Sequence, residues 1–472
     1  MPLPWWDEVY IVELGRLFLC GGDSNSIVMS PSGSLVVPVY YIGPCFQELA
    51  FRFLGDDIAR ILPLCSLGLV WWLFRRFIYR VGGISRASIE LYSLAVALSP
   101  LLFQSALLAR IDAYVMVVIF AAMALFGPCQ SNRRQWQLAI GAFLSVVSLF
   151  IWPSAVIAFP IILFYCVGVS SMVNIKQTGA FVLWSLLFLV LLLIPVLPYV
   201  DAITEGFLNH TRDTISNRAL LVGAIDTILR ETIRSPFLAS FSCVGLFCAL
   251  RLRKKPLILS VVAVSIIAYC SALYSMRFVY VIPLIAVLGI EALAYGERRF
   301  PRFTRVWLVL ALIYGLISGP ISQLFIEKQG IPDDAKEQLS HYVGEGQKKV
   351  FTPDYTPYYI GRELGWTQLA YGTYADNHNL NMVSKILKDC DAVVVRDFGR
   401  YETVQYCGSI YGLLSRYLMW SASKESSVPN EEKSLVAKIG ERFAGSWGWR
   451  LPLPDFKEVG RVGCLKVYMR NQ

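Results

Sequence analysis

Charged side chains are scarce in this chain. Of its 472 residues, 16% are Asp, Glu, Lys or Arg and 56% are apolar, and the mean hydropathy is +0.53. A soluble domain carries roughly 25% charged and 45–50% apolar residues, so a single water-soluble core could not bury this apolar excess. The composition excludes an ordinary soluble globular protein and predicts a polytopic membrane protein.

Histidine is scarcer still, and the cysteines show no metal-binding spacing. The chain has three histidines, and none of its eleven cysteines belongs to a C-x-x-C pair. Zinc and haem sites are recognised by such spacings, so neither is indicated. Cys390, Cys407 and Cys464 lie in one water-compatible segment, and a disulfide between two of them stays open if that segment is outside the cytoplasm.

Apolar runs near the roughly 20 residues that cross a bilayer account for much of the chain. We expect ten membrane spans, which makes the protein a multi-pass integral membrane protein. The spans centre on residues 58–74, 89–109, 111–127, 136–152, 154–169, 180–199, 236–250, 256–274, 278–295 and 306–325.

The basic residues between these runs indicate the orientation of the chain. If residue 1 lies outside, the five inner loops contain fifteen basic residues and one acid, Glu297. This asymmetry follows the positive-inside rule. The net charge of +9 is therefore interpreted as orientation charge, and we expect a lipid bilayer and no nucleic acid as the partner.

Composition divides the chain into three parts. Residues 1–57 form an outer segment, in which the apolar stretch 34–55 is expected to lie along the membrane surface. Residues 58–326 form an all-α membrane domain. Residues 327–472 carry 19 basic and 18 acidic residues, with β-rich runs at 349–352, 392–396 and 463–469. The alternation of these runs with helix-like stretches predicts a soluble α/β domain outside the cytoplasm.

Several charged residues near the outer ends of the expected spans have no obvious packing role. Each could mark a helix end at the interface, but buried charge in a membrane protein more often marks function. Arg binds phosphate through a planar fork, and a carboxylate in a partly dry site can act as a general base. These residues are Asp7, Glu8, Arg60, Arg110, Asp112 and Arg277. The outer loop 201–235 adds His210, although a solvated loop with a helical stretch is the favoured explanation of this segment.

Five short motifs follow one another in a defined order between residues 5 and 295. They are Trp5–Glu8, Val37–Tyr41, Phe53–Pro63, Ala109–Ala113 and Arg277–Pro283. The ordered series resembles the membrane-embedded, polyprenyl-phosphate-dependent glycosyltransferases of the GT-C type. The pattern is most similar to the bacterial branch with lipid A aminoarabinose transferase and related lipopolysaccharide sugar transferases, and to protein O-mannosyltransferases.

The resemblance implies a fold, a reaction and a set of roles. The reaction would be inverting transfer of one sugar from undecaprenyl or dolichyl phosphate to a lipid, glycan or protein acceptor, at the outer face of a bacterial inner membrane. Asp7 would activate the acceptor hydroxyl, with Asp112 as a second catalytic carboxylate. The residues expected to bind substrate, with the arginines on the donor phosphate, are Glu8, Arg60, Arg110, His210 and Arg277.

Two features depart from the family pattern. A membrane helix normally precedes the Asp-Glu loop, whereas Asp7 here follows Met1 almost at once. Either the start is misassigned or truncated, which we expect, or this variant lacks the helix. Some relatives have a metal-binding acid before the surface-helix proline, where this chain has Val36 and Val37. A divalent metal stays open, and its candidate ligands are Glu8, Glu48 and His210.

A transporter or flippase of lipid-linked sugars is the alternative function. It predicts charges near mid-depth and a repeat between the two halves of the membrane domain. The charges instead cluster at the outer ends, and residues 58–169 do not resemble residues 180–325. A membrane anchor for the C-terminal domain is the third hypothesis, and it leaves the outer arginines and carboxylates unexplained. In that domain the aromatic residues either face a sugar or form the core; they are Tyr355, Tyr358, Tyr359 and Trp366.

Overall fold

The computed structural model divides the chain into two compact units. One, the mixed unit, comprises Met1–Val37, Pro44–Ala59 and Ser322–Gln472, and the other, the helical unit, comprises Pro38–Gly43 and Arg60–Ile321. The structure describes residues 6–20, 39–107, 110–127, 134–167, 175–201, 203–204, 220–270, 275–321, 332–352, 357–369, 384, 387–396, 431–439, 453–463 and 465–471.

Most of the described residues are helical. In chain order the α-helices are α1 (Trp6–Cys20), α2 (Ile42–Leu54), α3 (Asp56–Tyr79), α4 (Arg86–Ala97), α5 (Pro100–Leu107), α6 (Asp112–Phe126), α7 (Gln135–Ile151), α8 (Ile175–Leu193), α9 (Leu220–Arg234), α10 (Pro236–Arg251), α11 (Lys255–Cys270), α12 (Ile282–Arg299), α13 (Pro301–Leu316), α14 (Ala335–Val343) and α15 (Tyr358–Glu363). Short 3-10 helices span Pro153–Ile157, Ile194–Tyr199 and Ser275–Val281, and π-helices span Ile161–Cys166 and Ile317–Ile321.

Several of these helices match the dimensions of a bilayer. Among the described residues, four helices are long and apolar enough to cross a membrane, and the number reaches six if each of two bent helix pairs is one span. The pairs are α4 with α5, bent by 49°, and Thr227–Arg234 with α10, bent by 112°. Each bend precedes a proline, Pro100 or Pro236, whose missing N–H interrupts the helical ladder. The chain is a membrane protein, and the ten expected spans stay a prediction, because α6, α7 and α11 are apolar but shorter.

Small residues let the helices of the helical unit approach closely. A Cβ on Gly245 of α10 would lie 1.9 Å from the carbonyl oxygen of Leu288 on α12. Gly289 of the same helix faces Tyr92 of α4, whose hydroxyl donates to the carbonyl of Ala286 at 3.0 Å. Membrane helices pack through such small-residue contacts because lipid offers no hydrophobic driving force for their association.

The mixed unit contains a five-stranded sheet in the order β2-β1-β3-β5-β4. Its strands are β1 (Lys349–Phe351), β2 (Thr367–Leu369), β3 (Ala392–Arg396), β4 (Phe456–Val462) and β5 (Leu465–Arg470). Strands β2, β1 and β3 are parallel, and β5 pairs antiparallel with β3 and β4. β1, β3 and β5 match the expected strands, whereas the sequence analysis did not identify β2 and β4.

The core of this α/β part is aromatic and aliphatic. Trp366 packs in it with Leu339 of α14 and Val394 of β3, and Tyr358 and Tyr359 are also buried. These aromatic residues are therefore core residues and not a sugar-facing surface, while Tyr355 lies outside the described residues. Cys390 is buried, and burial raises the pKa of its thiol to about 12. The other two cysteines of the open disulfide question also lie outside the described residues.

Helix α2 has an unusual distribution of exposed and buried side chains. On α2, Phe46 and Phe53 are exposed, while Gln47 and Glu48 are completely buried. A helix that turns its polar residues inward and its apolar residues outward is typical of contact with lipid. The helix falls within the stretch 34–55, whose placement along the membrane surface stays a prediction.

Candidate functional site

Arg110 and Asp112 form a buried ion pair between α5 and α6. Arg110 Nε lies 2.5 Å from Asp112 Oδ2, and both residues are buried. Ser105 donates to the same oxygen at 3.1 Å, and the hydroxyl of Tyr280 donates to Oδ1. Asp112 is the first residue of α6, where the helix dipole favours a negative charge. Both carboxylate oxygens are therefore engaged in the folded chain.

Two aromatic rings lie behind the arginine. The guanidinium carbon of Arg110 lies 5.8 Å from the centroid of the Trp152 ring, and Tyr40 packs against Trp152 at 4.8 Å. A guanidinium over an indole face gains electrostatic energy from the ring quadrupole. We call Ser105, Arg110, Asp112, Trp152 and Tyr280 the Asp112 cluster. It holds one fixed cation and one fixed anion within the helical unit.

The 3-10 helix Ser275–Val281 brings a second arginine to this region. It contributes Tyr280 to the Asp112 cluster and contacts α5, α9 and the 3-10 helix Pro153–Ile157. A 3-10 helix has three residues per turn, so Arg277 and Tyr280 leave the same face. Arg277 is half-buried and precedes Tyr280 by one turn.

A cleft of about 40 Å³ adjoins this 3-10 helix. Phe278 and Ile282 contribute to its apolar wall, and Ser99 and Glu231 contribute polar atoms. The Ser99 hydroxyl is buried and has no hydrogen-bond partner among the described residues. Glu231 pairs with Arg234 at 3.1 Å, and both side chains are almost completely buried.

The buried Glu231–Arg234 pair was not foreseen. The segment 201–235 was expected to be a solvated loop with a helical stretch, and its final part is α9, which exposes Ile228, Leu229 and Ile233 and buries Glu231 and Arg234. Two signals were available in the sequence: the three-residue spacing of Glu231 and Arg234, and the three- to four-residue spacing of the apolar residues Ile225, Ile228, Leu229 and Ile233. They indicate a helix whose apolar side faces out of the protein.

The remaining predicted site residues are placed less completely. Arg60 is buried near the start of α3. Asp7 and Glu8 lie in the first turn of α1, and their side chains are outside the described part of the chain, as is the whole of His210. The structure thus brings Arg110 and Asp112 together. It adds three further members of the Asp112 cluster: Tyr280, Trp152 and Ser105.

The described residues offer few ligands for a divalent metal. In the described ranges, no three His, Cys, Asp or Glu side chains come together as a metal site. Glu48 does not fit the role of a ligand, since Arg52 Nε and Arg362 Nη2 occupy its carboxylate at 2.7 and 2.8 Å. The side chains of Glu8 and His210 lie outside those ranges.

The fold is similar to that of a solved membrane enzyme. An oligosaccharyltransferase from Archaeoglobus fulgidus, in the apo form, superimposes with a TM-score of 0.54 over 99% of this chain and 85% of that protein, at 10% sequence identity. The arabinofuranosyltransferase AftD from Mycobacteria gives a TM-score of 0.43 at 13% identity, over 91% of this chain and 35% of that protein. No protein-family model and no curated protein sequence matches the chain.

The likeness to this solved structure concerns the fold of the chain. The similarity to the archaeal oligosaccharyltransferase confirms the expected GT-C-type fold. At 10% identity this similarity speaks for the fold alone, so the reaction is inferred separately from the residues of the site.

Proposed function

We propose that the chain is an inverting glycosyltransferase that moves one sugar from a polyprenyl-phosphate donor to an acceptor hydroxyl. The observation that carries the proposal is the buried Arg110–Asp112 pair with Tyr280 on its second oxygen. Burying an ion pair carries a desolvation penalty that an apolar contact of the same size does not carry. A fixed guanidinium in such a place is suited to bind a phosphate at the end of an apolar chain.

The chemistry of a glycosyl phosphate explains why arginines would dominate the site. As the bond between the anomeric carbon and the phosphate oxygen breaks, negative charge grows on the phosphate, and fixed cations offset it. Phosphate leaves as a stable anion, so no acid is needed to protonate it. In this proposal Arg60, Arg110 and Arg277 bind the donor phosphate.

The contacts of Asp112 favour a positioning role within that site. Its two oxygens accept hydrogen bonds from Ser105, Arg110 and Tyr280. A general base must reach a substrate proton, which Asp112 could do only by giving up one of these contacts. We therefore assign Asp112 to the orientation of Arg110, and its part as a second catalytic carboxylate stays a prediction.

The base in this proposal is Asp7, by resemblance. The acceptor oxygen attacks the anomeric carbon from the side opposite the phosphate, Asp7 takes the hydroxyl proton, and polyprenyl phosphate leaves, so the anomeric configuration inverts. Glu8 and His210 contact substrate in the same assignment. No step requires a metal. Phe278 and Ile282 of the cleft next to Arg277 offer apolar surface to the lipid chain.

The proposal includes the setting of the reaction. The protein works in a bacterial inner membrane, with residues 327–472 outside the cytoplasm, and the acceptor is a lipid, a glycan or a protein. Its inner loops carry the basic residues that the positive-inside rule requires for this orientation.

One reconstitution distinguishes this function from lipid-linked sugar transport. Purified protein in liposomes receives polyprenyl-phosphate sugars and lipid or glycan acceptors from the host membrane. The glycosyltransferase converts the donor into polyprenyl phosphate and forms a glycosylated acceptor, whereas a flippase moves the donor intact. Which donor accumulates when the chain is deleted identifies the sugar to use. Transport of intact donor without a new glycosidic bond would overturn the proposal.

A further inference from the structure

Two buried carboxylates link the N-terminal helices of the mixed unit to its α/β part. Glu13 of α1 is 2% exposed, accepts a hydrogen bond from the Tyr358 hydroxyl and pairs with Arg16 at 2.8 Å. Burial raises the pKa of Glu13, against the opposing influence of Arg16 and Tyr358. Tyr358 is the first residue of α15, 345 positions further along the chain.

The second carboxylate is held by a fork. Glu48 of α2 is completely buried, and Arg362 of α15 reaches both of its oxygens, Nη2 to Oε1 at 2.8 Å and Nη1 to Oε2 at 3.1 Å. Arg52 adds a bond to Oε1 at 2.7 Å. Bidentate Arg–carboxylate pairs fix orientation as well as distance. One short helix, α15, thus holds α1 through Tyr358 and α2 through Arg362.

The two N-terminal helices are also locked to each other. A Cβ on Gly15 of α1 would lie 2.1 Å from the carbonyl oxygen of Pro44, so only glycine allows this approach. Phe51 of α2 stacks on Tyr359 of α15 at 5.1 Å. Gln368 of β2 donates to the carbonyl of Tyr358 at 2.8 Å, which fixes α15 to the sheet. The sheet is therefore connected to α1 by direct contacts, from β2 to α15 and from α15 to α1.

We propose that Tyr358 and Arg362 are positioning residues that set where Asp7 stands during sugar transfer. The inference rests on the proposed function of Asp7. Asp7 precedes Glu13 by six residues in α1, which is about 9 Å along a helix axis. A displacement of about 1 Å at a reacting group can reduce the rate about 100-fold. The α/β part in this way supports the catalytic helix.

The buried charges favour this role over simple stabilisation. Buried ion pairs contribute little net stability, and apolar replacements of similar size are often equally stable. What such pairs provide is geometry, because a charged hydrogen-bonded contact tolerates few alternative arrangements. Glu13 and Glu48 both meet α15, so they define the position of α1 and α2 at two separate points.

The test compares Arg362→Met and Tyr358→Phe with the matched control Lys336→Met. Lys336 forms an exposed pair at 2.9 Å with Glu363, the residue next to Arg362. We expect Arg362→Met to lower kcat about 10- to 100-fold, with the KM for the donor within about twofold of wild type. Arg362→Lys should recover part of the loss, and the Lys336→Met variant should match wild type.

A double variant separates positioning from loss of fold. Glu48→Gln combined with Arg362→Met should lower kcat by less than the product of the two single effects, because the Arg362–Glu48 contact is shared and only the Arg52–Glu48 contact is lost in addition. The inference is overturned if kcat in Arg362→Met matches the Lys336→Met control, or if it falls only in proportion to the loss of folded protein measured by thermal melting.

Hydrogen exchange of residues 6–20 gives a readout that needs no activity. Arg362→Met and Tyr358→Phe should speed exchange in this segment relative to wild type and to Lys336→Met. If wild type transfers no sugar, the proposed function fails and the exchange result alone decides the positional link. Unchanged exchange in residues 6–20 would overturn that link whatever the enzyme activity.

Discussion

Arg110 and Asp112 lie two residues apart, and their side chains meet at 2.5 Å in a place closed to solvent. The carboxylate also accepts from Ser105 and Tyr280, so the anion is saturated and orients the cation beside it. Arg110 is thus a fixed guanidinium at the boundary of two apolar helices. The predictions below test this arrangement, the packing around it and the position of Asp7.

Removing the charge of Asp112 should destabilise the fold. In Asp112→Asn the buried guanidinium of Arg110 loses its counter-ion, and breaking such a pair costs about 3–5 kcal/mol. Tyr280→Phe removes one hydrogen bond to a charged group and should cost less, about 1.5–3 kcal/mol. Thermal melting in lipid nanodiscs checks the order of the two effects. A melting point for Asp112→Asn at or above that of Tyr280→Phe would contradict the assignment.

A single methyl group at Gly245 should disturb the packing of α10 on α12. The added Cβ would lie 1.9 Å from a backbone oxygen of Leu288, which no side-chain rotation relieves. Overpacking of this kind typically costs about 1–3 kcal/mol. Gly179→Ala in α8 is the control, because nothing lies within 4 Å of its added Cβ. If Gly245→Ala melts at the same temperature as that control, α10 and α12 are not in close contact.

The buried Glu13 gives stability a pH dependence with a defined sign. Burial raises its pKa above the ordinary value of 4.5, so the folded chain retains the proton to a higher pH than the unfolded chain. Stability from this site therefore falls as the pH rises from about 4.5 through the raised pKa, and then stays level. Glu13→Gln cannot titrate there. We expect the melting temperature of wild type minus that of Glu13→Gln to shrink over this window, and a difference that grows with pH would refute the burial effect.

The charged pair at the centre of the candidate site could be predicted from the sequence, but the aromatic residues around it could not. Arg110 and Asp112 stood out because charges between two apolar runs are conspicuous. Tyr280 and Trp152 did not, since aromatic residues within apolar segments look alike whether they touch lipid or a charge. The three-residue repeat that puts Tyr280 beside Arg277 depends on a 3-10 helix, which local sequence does not specify.

Contacts between residues far apart in the chain could not be predicted from the sequence, for another reason. Glu13 and Tyr358 are separated by 345 positions, and no periodicity in either segment relates the two. The fold class could be predicted because composition and the length of apolar runs reflect the solvent around the chain. They do not depend on which residues contact each other. Helix ends could be predicted less well. The helical stretch expected within 201–235 is α9, but its exposed apolar face was not predicted.

Loss of the acceptor-activating carboxylate should remove transfer without unfolding the protein. Asp7→Asn keeps the size of the side chain but cannot take a proton, and general-base catalysis contributes about 10²- to 10⁴-fold in rate. Sugar transfer in liposomes and the amount of folded protein in membranes are measured together. Transfer at the wild-type rate would exclude Asp7 as the base.

The central claim is that fixed arginines of the helical unit bind the donor phosphate, and donor kinetics of Arg277→Ala test it most directly. A hydrogen bond to a charged group contributes about 1.5–3 kcal/mol, which corresponds to about 10- to 100-fold in affinity. Arg305→Ala is the control, because Arg305 is exposed on α13 and lies outside the Asp112 cluster. Transfer is measured against increasing polyprenyl-phosphate sugar in nanodiscs. The account predicts a donor KM at least about tenfold higher in Arg277→Ala, with Arg305→Ala equal to wild type, and an unchanged donor KM and turnover in Arg277→Ala would contradict it.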